Sequence, residues 1–168
     1  MLDKLSIIFL FSFCSLSCLN PFAPGLDETT GRGIGPDLMT VEGVFCILQT
    51  AYSFKDTTQY GSVLAPDFTF IYRDYDAGVD VTWGRVQEMR SAYGLFQNVQ
   101  MLLLIWNNVV TADSSGDTVH NVVRSFNLTV TFNPSDVERI DGYANMQLKR
   151  ANRNAAWQVV RWRDESNF

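Results

Sequence analysis

The feature that most constrains this fold is a long alternating segment in the second half of the chain. Between Thr118 and Phe132, apolar residues such as Phe126 and Leu128 alternate with polar residues such as Asn127 and Thr129. A period of two is typical of a β-strand that buries one face and leaves the other more polar. A chain that carries such a strand must supply a second layer to cover the apolar face.

Four strand segments follow one another with only short turn sequences between them, and the first contains a continuous apolar run at residues 101–106, which is expected where both faces are covered. They are Val99–Ala112, Thr118–Phe132, Arg139–Arg150 and Ala155–Arg163. Turn-forming residues such as Ser114-Ser115-Gly116-Asp117 separate them. Consecutive strands joined by short turns predict an antiparallel meander.

The residues before the meander predict the covering elements. Asp37 is a suitable N-cap for a helix that runs to about Phe54, and Asp56 opens a capping box for a short second helix. Residues 68–72 predict a strand by their aromatic and β-branched content. Thr82 is the expected N-cap of a third helix, with an apolar face of Val86, Met89, Tyr93 and Phe96. The fold class is therefore α+β, with one domain and no internal repeat.

The first 17 residues predict a secretory signal peptide. Lys4 precedes an apolar run from Leu5 to Phe13, and the small residues Ser15 and Ser17 stand before Cys18. The sequence Ser-Leu-Ser-Cys resembles the lipobox of bacterial lipoproteins, which implies that Cys18 becomes the lipidated N-terminus. Plain secretion is the alternative. Cys18 would then carry no lipid and would be available for a disulfide with Cys46. Both interpretations predict export to the bacterial cell envelope, in the periplasm or on a membrane.

Residues 18–36 predict a lipidated cysteine followed by a flexible tether. Three of the five prolines and four of the eleven glycines lie in this stretch. Such a composition favours a linker over a packed element. The folded domain is expected to occupy residues 37–168.

Charge and residue counts narrow the classes of function. Thirteen Lys and Arg against eighteen Asp and Glu give a net charge of −5, which argues against binding to nucleic acid. The single histidine and the one internal cysteine, Cys46, cannot form a common zinc site without several carboxylates. We therefore expect no metal and no cofactor.

The order of the elements resembles that of the nuclear transport factor 2-like superfamily. Residues 51–56 leading to 64–70, and the ending Trp157–Asp164, are similar to the first half and the last strand of that superfamily. The resemblance implies a cystatin-like cone, in which three N-terminal helices pack in a strongly curved antiparallel sheet. It also implies a site inside the cone and a homodimer formed through the sheet. Superfamily members include enzymes and binding modules, so the fold alone does not define a reaction.

Few residues in the sequence suit catalysis in such a cone. Tyr52 near the end of the first helix is a candidate hydrogen-bond donor, and His120 is a candidate acid or base. Aromatic side chains suit a pocket for a small apolar molecule. The expected pocket residues are Tyr52, Tyr72, Trp83, Trp106 and Phe126.

The sequence supports two hypotheses of different classes. The first is a non-enzymatic, lipid-anchored envelope module that binds a small hydrophobic ligand or a protein partner. It is favoured because no catalytic constellation is visible. The second is a small cofactor-independent isomerase, dehydratase or cyclase that acts in the cone.

Overall fold

The structure is a computed structural model, and it describes residues 36–166. The predicted signal peptide, Cys18 and the tether up to residue 35 lie outside the described residues. No helix among residues 36–166 has the length and apolar character needed to cross a membrane.

The chain folds into three helices and six strands in the described range. In chain order they are α1 (Val41–Phe54), α2 (Thr57–Ser62), β1 (Leu64–Asp74), β2 (Val79–Gly84), α3 (Arg85–Asn98), β3 (Met101–Ser115), β4 (Val119–Asn133), β5 (Asp136–Lys149) and β6 (Gln158–Ser166). The α+β class predicted from the sequence is confirmed.

All six strands belong to one sheet, in the order β2-β1-β6-β5-β4-β3. The predicted meander is present as β3 to β6, and its strands pair antiparallel. The sheet as a whole is mixed, because β6 also pairs parallel with β1. The expectation of a purely antiparallel sheet is therefore wrong at this one junction, where the first and last strands meet.

The three helices do not all precede the sheet, although their order along the chain is the predicted one, with a strand before the third helix. Only α1 and α2 precede the sheet, and α3 lies between β2 and β3. Thr82 belongs to β2, where it pairs with Ile71, and Gly84 is the residue that caps α3. The cap of α1 also differs, because the Thr40 side chain accepts a hydrogen bond from the Gly43 amide. Asp37 instead accepts from the Met39 amide in the preceding turn.

The buried face of α3 differs from the predicted one. Val86 and Tyr93 are exposed, and the buried residues are Glu88, Ala92 and Phe96. These three follow one another at steps of four, so they form one helical face. Phe96 is buried and Met89 is half-buried as predicted, but the prediction did not include Glu88 and Ala92 in this face.

The core lies between α1 and the concave face of the sheet. Val44, Phe45, Leu48 and Ala51 are at most 1% exposed. Irregular register between β3 and β4 after Trp106 marks bulges, which bend a strand and increase its twist. The sheet curves around α1 and leaves one end of its concave side open.

Candidate functional site

A cavity of about 380 Å³ opens inside the curved sheet. Side chains from all six strands and from α1 and α3 line it. This volume falls within the range of about 300–1,000 Å³ that is usual for small-molecule sites. The lining residues come from distant parts of the sequence, so the cavity is a property of the closed fold.

Aromatic side chains dominate the cavity wall. Eight of the eighteen described lining residues are aromatic: Tyr52, Phe70, Tyr72, Tyr75, Trp83, Trp106, Phe126 and Trp162. The rings contact one another around the wall. Trp83 stacks on Phe70 with ring centroids 4.9 Å apart, and Trp106 lies 6.3 Å from Trp162.

All five residues expected to line the cone lie on this cavity. Tyr72 and Trp83 come from the β1–β2 hairpin, Trp106 from β3, Phe126 from β4 and Tyr52 from α1. The Trp106 indole also donates a hydrogen bond to the Phe45 carbonyl, 2.9 Å away, which fixes its ring against α1. Ligand binding by these residues stays a prediction.

His120 lies apart from this cavity. It is half-buried near the start of β4 and packs against the edge of Trp157, with ring centroids 6.2 Å apart. It is absent from the described residues that line the cavity. The structure therefore does not bring His120 together with Tyr52.

Glu88 is an acidic cavity residue that the sequence interpretation missed. Its side chain is on α3, and the residue is only 6% exposed. Oε1 accepts a hydrogen bond from the Tyr60 hydroxyl at 2.5 Å, and Oε2 accepts one from the Trp83 indole at 2.6 Å. An indole N–H can only donate. Short bonds to both oxygens are typical of an ionised carboxylate.

Tyr52 lies beside this network on the cavity wall. Its ring packs against that of Tyr60, with ring centroids 5.8 Å apart. Burial raises the pKa of Tyr52, and the nearby Glu88 and Asp164 carboxyls raise it further. Tyr52 therefore keeps its proton.

Asp164 is the second acidic residue on the cavity wall. It lies on β6 opposite Tyr72 of β1 and Ala144 of β5. Burial raises its pKa, although the Ser166 hydroxyl donates a hydrogen bond to Oδ2 at 3.2 Å. Oδ1 is buried and has no hydrogen-bond partner among the described residues. An orphaned oxygen and a raised pKa both favour the protonated form.

Positive charge is nearly absent from the cavity. Arg73 is the one cationic side chain among the described lining residues. It is 42% exposed and forms an ion pair with Asp80 at 3.1 Å, an acid that also pairs with Arg163. No ion pair to Glu88 or Asp164 occurs within residues 36–166. The same range contains no cluster of His, Cys, Asp or Glu that could hold a metal ion.

Two sequence signals could have identified these acids. Glu88 stands four residues before Ala92 and eight before Phe96, on one apolar helical row. Asp164 stands two residues after Trp162, so strand alternation puts both on the same face. Both acids are therefore in phase with buried residues in the sequence. The partners of Glu88, Tyr60 and Trp83, are not visible there.

Comparisons with known proteins identify the fold. No protein-family model and no curated protein matches the sequence. A conserved protein from Planctomyces limnophilus is structurally similar, with a TM-score of 0.65 and 15% identity over 75% of this chain and 92% of that one. A proposed scytalone dehydratase from Novosphingobium aromaticivorans has a TM-score of 0.65 and 12% identity over 76% and 82%.

A third similar structure carries the superfamily name itself. It is a proposed dehydratase of the nuclear transport factor 2-like family from Streptomyces avermitilis. Its TM-score is 0.60, at 15% identity over 76% of this chain and 94% of that one. The protein described here therefore has the nuclear transport factor 2-like fold, with an aromatic cone and two acids inside it.

Proposed function

We propose that this protein is a cofactor-independent enzyme that moves a proton on a small, largely apolar molecule held in the cone. The observation that carries the proposal is Asp164, a carboxyl on the wall of an aromatic cavity with no cationic partner in the described range. The reaction class is isomerisation, dehydration or cyclisation, since each needs one group that gives and takes a proton.

Asp164 has the chemistry of a general acid. Burial raises its pKa, so that it keeps a proton at a higher pH than an exposed aspartate does. In a dehydration, that proton passes to the leaving hydroxyl oxygen as the C–O bond breaks. Water leaves, and the electron pair of the neighbouring C–H bond forms the new double bond. The Asp164 carboxylate takes up the proton released from that carbon. The residue ends the cycle as it began.

Glu88 serves this site as a fixed negative charge. Each of its oxygens already accepts a hydrogen bond, one from Tyr60 and one from Trp83. Its charge opposes ionisation of Asp164, because a nearby like charge disfavours the charged form. The two acids therefore have different roles in the proposed mechanism.

The similar structures favour the enzymatic hypothesis over the binding module. Two of them are proposed dehydratases. The sequence interpretation preferred a non-enzymatic module because it found no catalytic acid, and Asp164 removes that reason. His120 has no part in the proposal.

Two probe reactions test the enzymatic proposal. One is the dehydration of 2-phenyl-2-propanol to 2-phenylpropene, and the other is deuterium uptake by the methyl group of acetophenone in heavy water. We expect the protein to accelerate at least one of them, and the Asp164→Asn variant to lose that acceleration. Glu138→Gln, which removes an exposed carboxylate from β5, is the matched control. Failure of both reactions, or full activity in Asp164→Asn, would contradict the proposal.

We further propose that the enzyme works in the bacterial cell envelope, anchored by lipid on Cys18. The support is the signal-like sequence of residues 1–18. Mass spectrometry of the mature N-terminus tests this directly. A diacylglyceryl-modified Cys18, lost together with membrane association in Cys18→Ser, is the expected result. An unmodified Cys18 would refute the anchor.

A homodimer through the sheet is also proposed. Its support is a row of exposed apolar side chains on β3, namely Met101, Leu103 and Ile105. Sedimentation of the wild type and of Leu103→Lys tests it. A dimer that Leu103→Lys dissociates is expected, and a wild-type monomer at high concentration would contradict it.

A further inference from the structure

The cavity combines negative charge with acceptor atoms. Its described polar lining holds two carboxyl groups, Glu88 and Asp164, and Arg73 at the mouth is already bound to Asp80. Burying carboxylates without a cation is unfavourable unless hydrogen bonds compensate. Tyr60 and Trp83 compensate Glu88 with bonds, but neither donor carries a positive charge. The cavity therefore holds the negative charge of Glu88, and a bound cation would favour ionisation of Asp164 as well.

Two buried polar atoms of cavity-lining residues have no hydrogen-bond partner in the described range, the acceptor Oδ1 of Asp164 and the donor Nε1 of Trp162. Oδ1 of Asp164 has no donor among residues 36–166. A ligand group that completes Oδ1 of Asp164 must donate a hydrogen bond or carry positive charge.

The surrounding rings suit a cation as well. Aromatic faces carry partial negative charge, and a cation within about 6 Å of a ring centroid is attracted to them. Trp83, Trp106 and Trp162 all line the cavity, and Trp is the best of the aromatic residues in this respect. Rings combined with carboxylates form the kind of cage that holds alkylammonium groups.

We infer that the molecule held in the cone is a small organic cation, with an ammonium group seated between the tryptophan rings and the two acids. The inference rests on the proposed function only in that both use the same cavity. It adds the chemical class of the occupant. A neutral apolar molecule would use the rings but leave Oδ1 of Asp164 without a partner, and an anion would be repelled by the Glu88 carboxylate.

Paired probes test the charge requirement. Phenyltrimethylammonium and tert-butylbenzene have nearly the same shape but differ by one positive charge, and benzenesulfonate supplies the negative counterpart. Binding is measured by calorimetry and by quenching of the tryptophan fluorescence. We expect the ammonium to bind at least about tenfold more tightly than its neutral isostere. We expect no binding of benzenesulfonate.

Variants assign the preference to the cavity acids. Asp164→Asn keeps the shape of the side chain, and it should lower the affinity for phenyltrimethylammonium about tenfold while leaving that for tert-butylbenzene unchanged. Glu88→Gln should act in the same direction. Glu138→Gln should bind as the wild type does. If Glu88→Gln does not fold, Asp164→Asn alone carries this comparison.

The outcomes separate this inference from the proposed enzyme. Ammonium binding without catalysis of either probe reaction would support the cation site and count against the enzyme. Catalysis together with equal or tighter binding of tert-butylbenzene would overturn the cation site and leave the enzyme standing. Binding of phenyltrimethylammonium that Asp164→Asn does not weaken would also overturn the inference.

Discussion

Tyr60 on α2 donates a 2.5 Å hydrogen bond to Glu88 on α3, across 28 residues of sequence. Tyr60 has no exposed surface, and Glu88 is the one buried charged residue in the described range. The bond fixes the acid at the cavity wall and holds the two helices together. It therefore links the stability of the fold to the chemistry of the site.

Removing this hydroxyl should destabilise the protein. Tyr60→Phe keeps the ring but deprives Glu88 of a donor, and a hydrogen bond to a charged group contributes about 1.5–3 kcal/mol. We expect the free energy of unfolding in urea to fall by about that amount. Tyr93→Phe removes an exposed hydroxyl from α3 and should change little. Equal effects of the two variants would show that the bond contributes no special stability.

The raised pKa of Asp164 should make stability depend on pH. Above the usual value of 3.8, the unfolded carboxyl loses its proton while the folded one keeps it. The free energy of unfolding therefore falls as the pH rises from 3.8 to the folded pKa. Asp164→Asn has no carboxyl to titrate at this position. As the pH rises, the free energy of unfolding of the wild type should therefore fall relative to that of the variant. Urea titrations across this range measure the difference, and a difference that is constant with pH would contradict the assignment.

Arg124 and Glu42 should contribute unequally to stability. Their ion pair of 2.8 Å joins β4 to α1, but the Glu42 side chain is 72% exposed. Exposed pairs typically contribute about 0–1 kcal/mol, so Glu42→Gln should have a small effect. The Arg124 guanidinium also lies 5.0 Å from the centre of the Phe45 ring. Arg124→Ala should therefore cost more in thermal denaturation than Glu42→Gln, and the reverse order would contradict this account.

Two glycines should respond to alanine in opposite directions. A Cβ on Gly142 would lie 2.5 Å from the Ser166 Cα, so Gly142→Ala should force β5 and β6 apart at a cost of about 1–3 kcal/mol. A Cβ on Gly94 meets nothing within 4 Å, and Gly94→Ala should stabilise α3 by about 1 kcal/mol. Chemical denaturation measures both changes. A tolerated Gly142→Ala would show that the strands separate easily.

The sequence was sufficient for the elements with simple periodicity. Strand patterns predicted β3 to β6, although the expectation that both faces of β3 are covered is wrong, because Met101, Leu103 and Ile105 are exposed. Asp56 caps α2 as expected and accepts from the Thr58 and Gln59 amides. It was insufficient where a distant partner decides the outcome. Glu88 is buried because Tyr60 and Trp83 satisfy it, and no local pattern predicts that. The parallel pairing of β6 with β1 likewise joins residues about ninety positions apart.

The insertion of β6 between β1 and β5 determines when the site can exist during synthesis. Every residue up to Lys149 can be in place while β1 is paired with β2 alone and still lacks β6 on its other side. Only when residues 158–166 emerge does the gap close, and these residues carry Trp162 and Asp164 to the cavity. The acid and the last wall of the cone thus arrive together, so a chain released early would have neither a finished sheet nor a working site.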